Sequence, residues 1–357
     1  MVVDEIPSVT HCFDQNLTEN HKILTSFIDR LPVVGTPYDL LTATDVDQLE
    51  AIAKNESDDV VWENFKDPAN ILLSPRWESY VDRKAYEELI IGSGSRNKLT
   101  VFSLLRPEIF EGFRSVTLAG ACFEDTLLYR YWSKMGVKFK EAANIDLRYV
   151  KHTNGDELTI LYAVPQDWSK WLAKQKEGKV LRLMEVAAIK EFGEAEFLYA
   201  QNKGHDLFKG ISNAIQLPYA PHGLNNFQHI PDVAFLPARN LTPSHCKFLE
   251  RMMGLTEDDI RTAVHRQAAY QTVMRGSLRD PENHEAKRIF VPDLGTAERL
   301  QSLFPGATLR KMETGFEKLG LPVRRGRRRI YSSDVERKRA SRERHRDNKF
   351  KQFNDLR

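Results

Sequence analysis

The chain has 357 residues, of which 41% are hydrophobic and 29% charged, enough for buried cores in one large domain or two ordinary ones. No apolar run approaches the roughly 18 residues of a membrane-spanning helix, and the N-terminus carries an acidic pair where a signal peptide has a basic and then an apolar region. The three cysteines (Cys12, Cys122 and Cys246) form no C-x-x-C pair, which argues against a disulfide framework or a zinc ribbon. We therefore expect a soluble, cytoplasmic protein.

The near-neutral net charge of +2 conceals a basic C-terminus. Residues 324–357 contain 14 Lys/Arg and 5 Asp/Glu, so the rest of the chain is acidic. The densest basic run contains Arg324, Arg325, Arg327, Arg328 and Arg329. Such a tail suits binding to nucleic-acid phosphates with weak sequence preference, because few aromatic residues interleave the arginines. A solvated, partly disordered terminus would have the same composition.

The chain opens with a short apolar run that leads into two acids. Val2 and Val3 precede Asp4 and Glu5, a pattern typical of a buried parallel strand that ends at a functional edge. Carboxylates at this edge of an open α/β sheet lie in the ligand-binding crevice, where they hold Mg²⁺ and orient an attacking water in nucleotide-hydrolysing folds. The alternative is an N-terminal strand followed by two solvated acids.

The pattern up to about residue 145 predicts an α/β domain with a mostly parallel sheet. Helices are expected over 17–31, from Thr44, over 78–91 and over 123–135, with a short helix at 107–113, strands at 99–104, 115–120 and 137–139, and irregular structure over 58–75.

A second α/β unit is expected after a boundary near residues 144–155. Its strands are predicted at 158–164, 195–200, 213–217, 232–237 and 288–292, and its helices at 166–192, 243–253, 257–274 and 296–304. The predicted domains are 1–145 and 150–320, followed by a helical or disordered tail over 321–357.

One glycine-rich stretch invites comparison with a phosphate-binding loop. Residues 92–100 include Lys98 and Thr100, but no glycine precedes Lys98, no Ser or Thr follows it directly, and a strand follows where a helix should open. The stretch is predicted to be a plain turn, and no other stretch of the sequence fits the phosphate-loop pattern better.

Gln271, Arg275 and Arg279 are spaced by four residues, which on a helix places them on one face. Arginine pairs that face a cleft neutralise developing charge in phosphoryl transfer. A solvated amphipathic face is the alternative.

Together these segments resemble a superfamily 2 helicase of the DEAD/DEAH type over roughly residues 1–295. In order, they are similar to motif II or Walker B (Val2–Glu5), motif III (Thr117–Cys122), the first strand motif of the second lobe (Phe197–Asn202), motif V (His222–Asn225) and motif VI (Gln271, Arg275, Arg279). The resemblance implies two RecA-like parallel-sheet lobes, the first truncated at its N-terminal side, with a basic C-terminal tail. ATP and Mg²⁺ are the implied cofactors, although this chain alone is expected to bind little or none.

The resemblance also implies roles for individual residues. Asp4 would hold the metal, Glu5 would polarise the attacking water, and Arg275 or Arg279 would stabilise the transferred charge, with Gln271 beside them. Gly223 and Asn225 would contact the nucleotide, and nucleic acid, DNA in preference to RNA, would contact Thr117, Asn202, His222 and the arginines of the tail. Two departures stand out: the arginines are four positions apart instead of three, and the sequence holds no phosphate loop.

Three interpretations remain open at this point. The chain could be the C-terminal part of a helicase or translocase, inactive in ATP hydrolysis unless a separate chain supplies the Walker A half. It could be a non-catalytic nucleic-acid-binding protein with a degenerate helicase fold. It could also be an unrelated α/β protein.

Overall fold

The computed structural model describes residues 1–16, 20–92, 98–142, 152–218 and 226–319, and within them the fold is mixed α/β. The strands form three sheets, which we call sheet A (two strands), sheet B (five strands) and sheet C (six strands). The strands are β1 (Val2–Asp4), β2 (Thr10–Asn16), β3 (Ile28–Pro32), β4 (Tyr38–Ala43), β5 (Trp77–Asp82), β6 (Lys98–Leu105), β7 (Thr117–Ala119), β8 (Leu158–Val164), β9 (Phe197–Ala200), β10 (Ala214–Gln216), β11 (Asp232–Phe235), β12 (Lys287–Asp293) and β13 (Thr308–Lys311).

The helices are mostly short. The α-helices are α1 (Lys22–Thr25), α2 (Val46–Lys54), α3 (Val60–Glu63), α4 (Lys66–Leu73), α5 (Arg83–Ile91), α6 (Leu127–Lys134), α7 (Lys170–Ala173), α8 (Lys179–Phe192), α9 (Pro243–Met253), α10 (Glu257–Arg261), α11 (Gln267–Val273) and α12 (Leu294–Leu303). Short 3₁₀ helices span Pro107–Phe110, Phe123–Asp125, Gln175–Gly178, Ser277–Arg279 and Phe316–Leu319, and a π-helical turn spans Thr262–Arg266. Within the described ranges, none of these helices combines the length and the apolar composition needed to cross a membrane.

Sheet C is entirely parallel, in the order β10-β9-β11-β12-β8-β13. Its four inner strands are largely apolar and buried because both faces of the sheet are covered, whereas the edge strands β10 and β13 are half-buried or exposed. In β9, Phe197 and Tyr199 face the cluster that contains α8, whereas Leu198 and Ala200 face the cluster that contains α11 and α12. Helices therefore cover both faces, and the carboxyl ends of the strands meet at one edge.

Sheet B differs from the predicted arrangement. Its strands, in the order β2-β6-β5-β4-β3, pair antiparallel throughout, so the prediction of one mostly parallel sheet over residues 1–145 is wrong. The helix predicted over 17–31 is also wrong, because α1 is four residues long and β3 follows it. The expected helix over 78–91 begins only at Arg83, since the residues before it belong to β5, and α3 and α4 occupy the range expected to be irregular.

Sheet A consists of β1 and β7, paired in parallel with Val2 opposite Thr117 and Asp4 opposite Ala119. The prediction that β1 is a buried strand is wrong, because Val2 is 73% exposed and Asp4 and Glu5 are exposed as well. Among the described strands, β1 has one neighbour, β7. It therefore lacks the strand on its other side that a central parallel strand has.

A hydrophobic cluster joins sheet B to the chain of the second unit. Phe248 of α9 is fully buried and stacks on Phe102 of β6, with ring centroids 4.6 Å apart and an interplanar angle of 11°. Tyr38 and Tyr80 flank the same ring, and Trp132 of α6 belongs to the same cluster. Helix α9 therefore packs on sheet B although it lies between strands of sheet C in sequence. The predicted division of the chain at residues 145–150 stays a prediction.

Candidate functional site

The acidic pair lies where β1 ends. Asp4 is the last residue of the strand, and the Glu5 backbone N–H donates to the Ala119 carbonyl oxygen at 3.1 Å. Glu5 has a φ of 75°, a conformation uncommon outside glycine, so the chain turns away directly after the pairing with β7. Both carboxylates are consequently presented to solvent at the end of sheet A.

The two arginines follow helix α11 instead of lying on it. The helix ends at Val273, Arg275 comes two residues later, and Arg279 closes the 3₁₀ helix Ser277–Arg279. Gln271 is helical in α11 and the two arginines lie after the helix, so the shared face that this spacing gives on a helix does not form. Tertiary contacts with the loop before β11 bend the chain here, because the Ser277 backbone N–H donates to the Ile230 carbonyl oxygen at 2.8 Å.

The charges of Glu5 and Arg279 nevertheless act on Arg275. Arg275 is only 9% exposed, and its burial lowers the pKa of its guanidinium. The charge of Arg279 lowers that pKa further, whereas the charge of Glu5 raises it. An acid from the first residues of the chain thus lies within electrostatic reach of buried Arg275 in the second unit, where Arg279 is half-buried. This arrangement can bind an anion and place a carboxylate beside it.

The segment after β7 lies against α11 and α12. The Gln267 side-chain amide donates to the Ala121 carbonyl oxygen at 2.7 Å, and half-buried Gln271 is one helical turn further along. Asp125 pairs with Arg299 of α12 and with Arg130 of α6. Thr117, a predicted nucleic-acid contact, is half-buried in β7 opposite Val2, and its backbone N–H donates to the Met1 carbonyl oxygen at 2.9 Å.

At the carboxyl edge of sheet C, Asn202 joins two loops. Its Oδ1 accepts the Ala238 backbone N–H at 3.1 Å, which connects the loop after β9 to the loop after β11. The other predicted residues of this group (Gly223, Asn225, His222, Arg324, Arg325, Arg327, Arg328 and Arg329) lie outside the described residues. Lys98 of the glycine-rich stretch begins β6 and pairs with Asp14 at 2.8 Å.

The sequence did not reveal a buried polar cluster at the same edge of sheet C. His265 and Asp293 are both fully buried with His265 Nε2 3.4 Å from Asp293 Oδ2, and His265 Nδ1 accepts the Arg239 backbone N–H at 3.3 Å. Asp293 also caps α12 and accepts the Trp168 backbone N–H at 3.2 Å. His265 lies in the π-helical turn, a feature often found at functional sites. No sequence signal marks a π-helical turn.

Within the described ranges, no three or more His, Cys, Asp and Glu residues group into a metal-binding cluster. Neither a protein family nor a characterised protein was found to match this chain. The geometry of the site is therefore the basis for the proposals that follow.

Proposed function

We propose that this chain is the C-terminal part of an ATP-dependent nucleic-acid helicase or translocase. The observation that carries the proposal is that the charges of Glu5 and Arg279 both act on buried Arg275, although Glu5 lies about 270 residues away in sequence. An acid that orients water and arginines that neutralise charge are the parts that hydrolysis of a phosphoanhydride requires.

The architecture gives further support. Sheet C, parallel and covered by helices on both faces, suits the second of two RecA-like lobes. In this proposal β1 and β7 belong to the first lobe, and sheet B is an insertion between them.

The residues fit the proposed cofactors in part. Asp4 would hold Mg²⁺, which would neutralise phosphate charge, and Glu5 would orient a water. Arg275 and Arg279 supply positive charge that suits an anionic phosphate. The sequence contains no G-x-x-x-x-G-K-[ST] loop, so the phosphate cradle would come from residues outside this sequence. We expect little or no ATP hydrolysis by this chain alone, and turnover that disappears in Glu5→Gln would contradict this expectation.

The basic tail supplies the test of the nucleic-acid role. If its five clustered arginines each contact one phosphate, the affinity for single-stranded DNA should fall about 100-fold between about 50 and 200 mM salt. Fluorescence anisotropy with labelled DNA and RNA oligonucleotides would measure this, with a variant lacking residues 324–357 as the control. A salt-insensitive affinity, or one unchanged by the deletion, would remove the tail from the proposal, and no binding of either nucleic acid would contradict the proposal as a whole.

A non-catalytic nucleic-acid-binding protein is the second candidate, favoured by the missing phosphate loop together with the basic tail. Millimolar Mg-ATPγS should change the DNA affinity of the helicase-like protein, and Arg275→Ala should abolish that change. Arg182→Ala is a matched control, since this exposed arginine pairs with Glu185 on α8. Binding that ignores the nucleotide would favour the second candidate.

A further inference from the structure

Arg279 lies in a segment that has little conformational stability of its own. It ends a three-residue 3₁₀ helix, in which the Arg279 N–H donates to the Gly276 carbonyl oxygen at 3.2 Å and the Asp280 N–H to that of Ser277 at 3.0 Å. Such a short helix with poor hydrogen-bond geometry does not fix a long side chain precisely without outside support.

Asn154 provides that support from a distant part of the sequence. Its side chain is 1% exposed, and its Nδ2 donates to the carbonyl oxygens of Leu278 and Asp280, each at 3.1 Å. These two carbonyls belong to the residues on either side of Arg279. Both amide hydrogens of Asn154 are therefore used to fix the backbone from which the arginine extends.

The residues around Asn154 are themselves fixed. The His152 ring stacks on Phe304, with centroids 4.1 Å apart, and its Nε2 is 2.9 Å from the Tyr270 hydroxyl. Gly155 approaches the backbone so closely that a methyl group there would lie 2.0 Å from the Pro305 carbonyl oxygen. Residues 152–155 thus form a rigid support against α11 and the end of α12.

We infer that Asn154 is a positioning residue for Arg279, fixing the backbone on both sides of it and so the place of its guanidinium. The inference rests on the proposed function, in which the guanidinium of Arg279 would contact a terminal phosphate. The hydrogen bonds themselves show that Asn154 fixes the backbone on both sides of Arg279. The substitution Asn154→Ala should therefore displace the arginine without removing any charge from the site.

Asn213 offers a matched control. Its Nδ2 also donates to two backbone carbonyls, those of Gly193 at 3.0 Å and Ala195 at 2.7 Å, at the start of β10 and far from the arginines in sequence. Asn213→Ala removes the same kind and number of hydrogen bonds. Asn213 is partly exposed whereas Asn154 is buried, so the two variants are compared at the arginine signals and not by their overall stability.

The experiment compares the full chain with Asn154→Ala and Asn213→Ala. In ¹⁵N NMR spectra, the Nε–Hε signals of Arg275 and Arg279 should shift in Asn154→Ala, and the Arg279 Hε should exchange with water about tenfold faster. Calorimetric titration with tripolyphosphate should show about tenfold weaker binding for this variant, because a small displacement of a charged group is costly. Asn213→Ala should leave both readouts unchanged.

Unshifted arginine signals in Asn154→Ala, or equal shifts in both variants, would overturn the inference. If the unmodified chain binds no tripolyphosphate, the anion-binding role of the two arginines in the proposed function fails, and the NMR comparison still decides whether Asn154 positions Arg279. Should Asn154→Ala not fold, Asn154→Ser retains one donor in the buried site and is expected to give a smaller shift in the same signals.

Discussion

At the scale of single residues, Gly276 allows the segment that carries Arg275 and Arg279 to pack closely against the loop before β11. It lies between Arg275 and Arg279, and a methyl group on it would lie 2.6 Å from the Ile230 carbonyl oxygen and 3.1 Å from Val233 Cγ2. A backbone oxygen cannot yield as a flexible side chain can. The close contact therefore requires glycine here for lack of space, since its φ of −85° is open to any residue.

The substitution Gly276→Ala should destabilise the protein by about 1–3 kcal/mol, because it overpacks a buried contact. Urea unfolding followed by circular dichroism would measure the change. Gly295→Ala is the control, since its nearest neighbour, 3.1 Å away, is the flexible end of Arg266. An equal cost for both substitutions would contradict the steric explanation.

His245 links stability to pH. Burial and then the charge of His11 lower the pKa of His245 from 6.5 to about 4, with Asp14 acting in the opposite direction, and its Nε2 is 2.7 Å from Thr10 Oγ1. Between these two pKa values the unfolded chain binds a proton that the folded chain excludes, so the stability that neutral His245 contributes falls as the pH drops. The loss should reach about 2 kcal/mol at about pH 5 relative to about pH 8.

Urea unfolding at several pH values would measure this dependence in the unmodified chain and in His245→Gln, whose amide can still bond Thr10. The variant should lose less stability on acidification. His284→Gln is the control, because this side chain is 69% exposed. The same pH dependence in all three proteins would exclude His245 as its source.

At this scale the sequence pattern singled out charged residues but not their contacts. Asp4 and Glu5 were predicted from the apolar run that precedes them, and Arg275 and Arg279 from their four-residue spacing with Gln271. Asn154 carries no such signal, because a buried asparagine that donates to two distant carbonyls looks like any polar residue of a connection. The role of Asn154 depends on the residues that it contacts in the folded chain.

At the scale of elements, sheet C could be predicted and sheet B could not. Strands β8, β9, β11 and β12 are continuous apolar runs, which their burial on both faces requires. Strand β2, by contrast, reads Thr-His-Cys-Phe-Asp-Gln-Asn and pairs with β6 alone at the edge of sheet B. Edge strands tolerate polar residues, so a hydrophobic pattern is a poor guide to them. The π-helical turn likewise interrupts the predicted helix over 257–274 without a sequence signal.

Helix α9 buries Phe248 against aromatic residues of sheet B. Phe248→Ala should cost about 3–5 kcal/mol, because it leaves a cavity between the rings of Phe102, Tyr38 and Tyr80. Because the cluster joins both parts of the chain, circular dichroism and tryptophan fluorescence should report the same shifted urea transition. Val186→Ala on α8 is the control, as this side chain is 60% exposed. A cost below about 1 kcal/mol would show that α9 does not stabilise sheet B.

At the scale of the whole molecule, a row of ion pairs joins the segment after β7 to the helices that flank sheet C. Arg130 of α6 pairs with Asp259 of α10 at 2.5 Å and with Asp125 at 3.5 Å, and Asp125 also pairs with Arg299 of α12. These side chains are 20–30% exposed. Burial raises the pKa of Asp259, but hydrogen bonds from Thr256 and the charge of Arg130 outweigh it and lower that pKa overall. The row therefore ties the segment after β7 to α10 and α12.

Arg130 lies in the middle of this row, so its removal should loosen the contact between the two parts of the chain. Arg130→Met retains most of the apolar stem but leaves Asp125 and Asp259 without their shared cation, and should cost about 1–3 kcal/mol. In a double-mutant cycle with Asp259→Asn, which can still accept the Thr256 hydrogen bonds, the coupling should be about 1 kcal/mol and should shrink in 1 M NaCl. The exposed pair Lys84–Glu88, separated by 3.7 Å on α5, is the matched control and should couple by only about 0.3–0.5 kcal/mol.

Because Glu5 and Arg275 come from the parts that this row holds together, Arg130→Met should also move the Arg275 Nε–Hε NMR signal. A large loss of stability with that signal unmoved would mean that the row stabilises the fold without influencing the site.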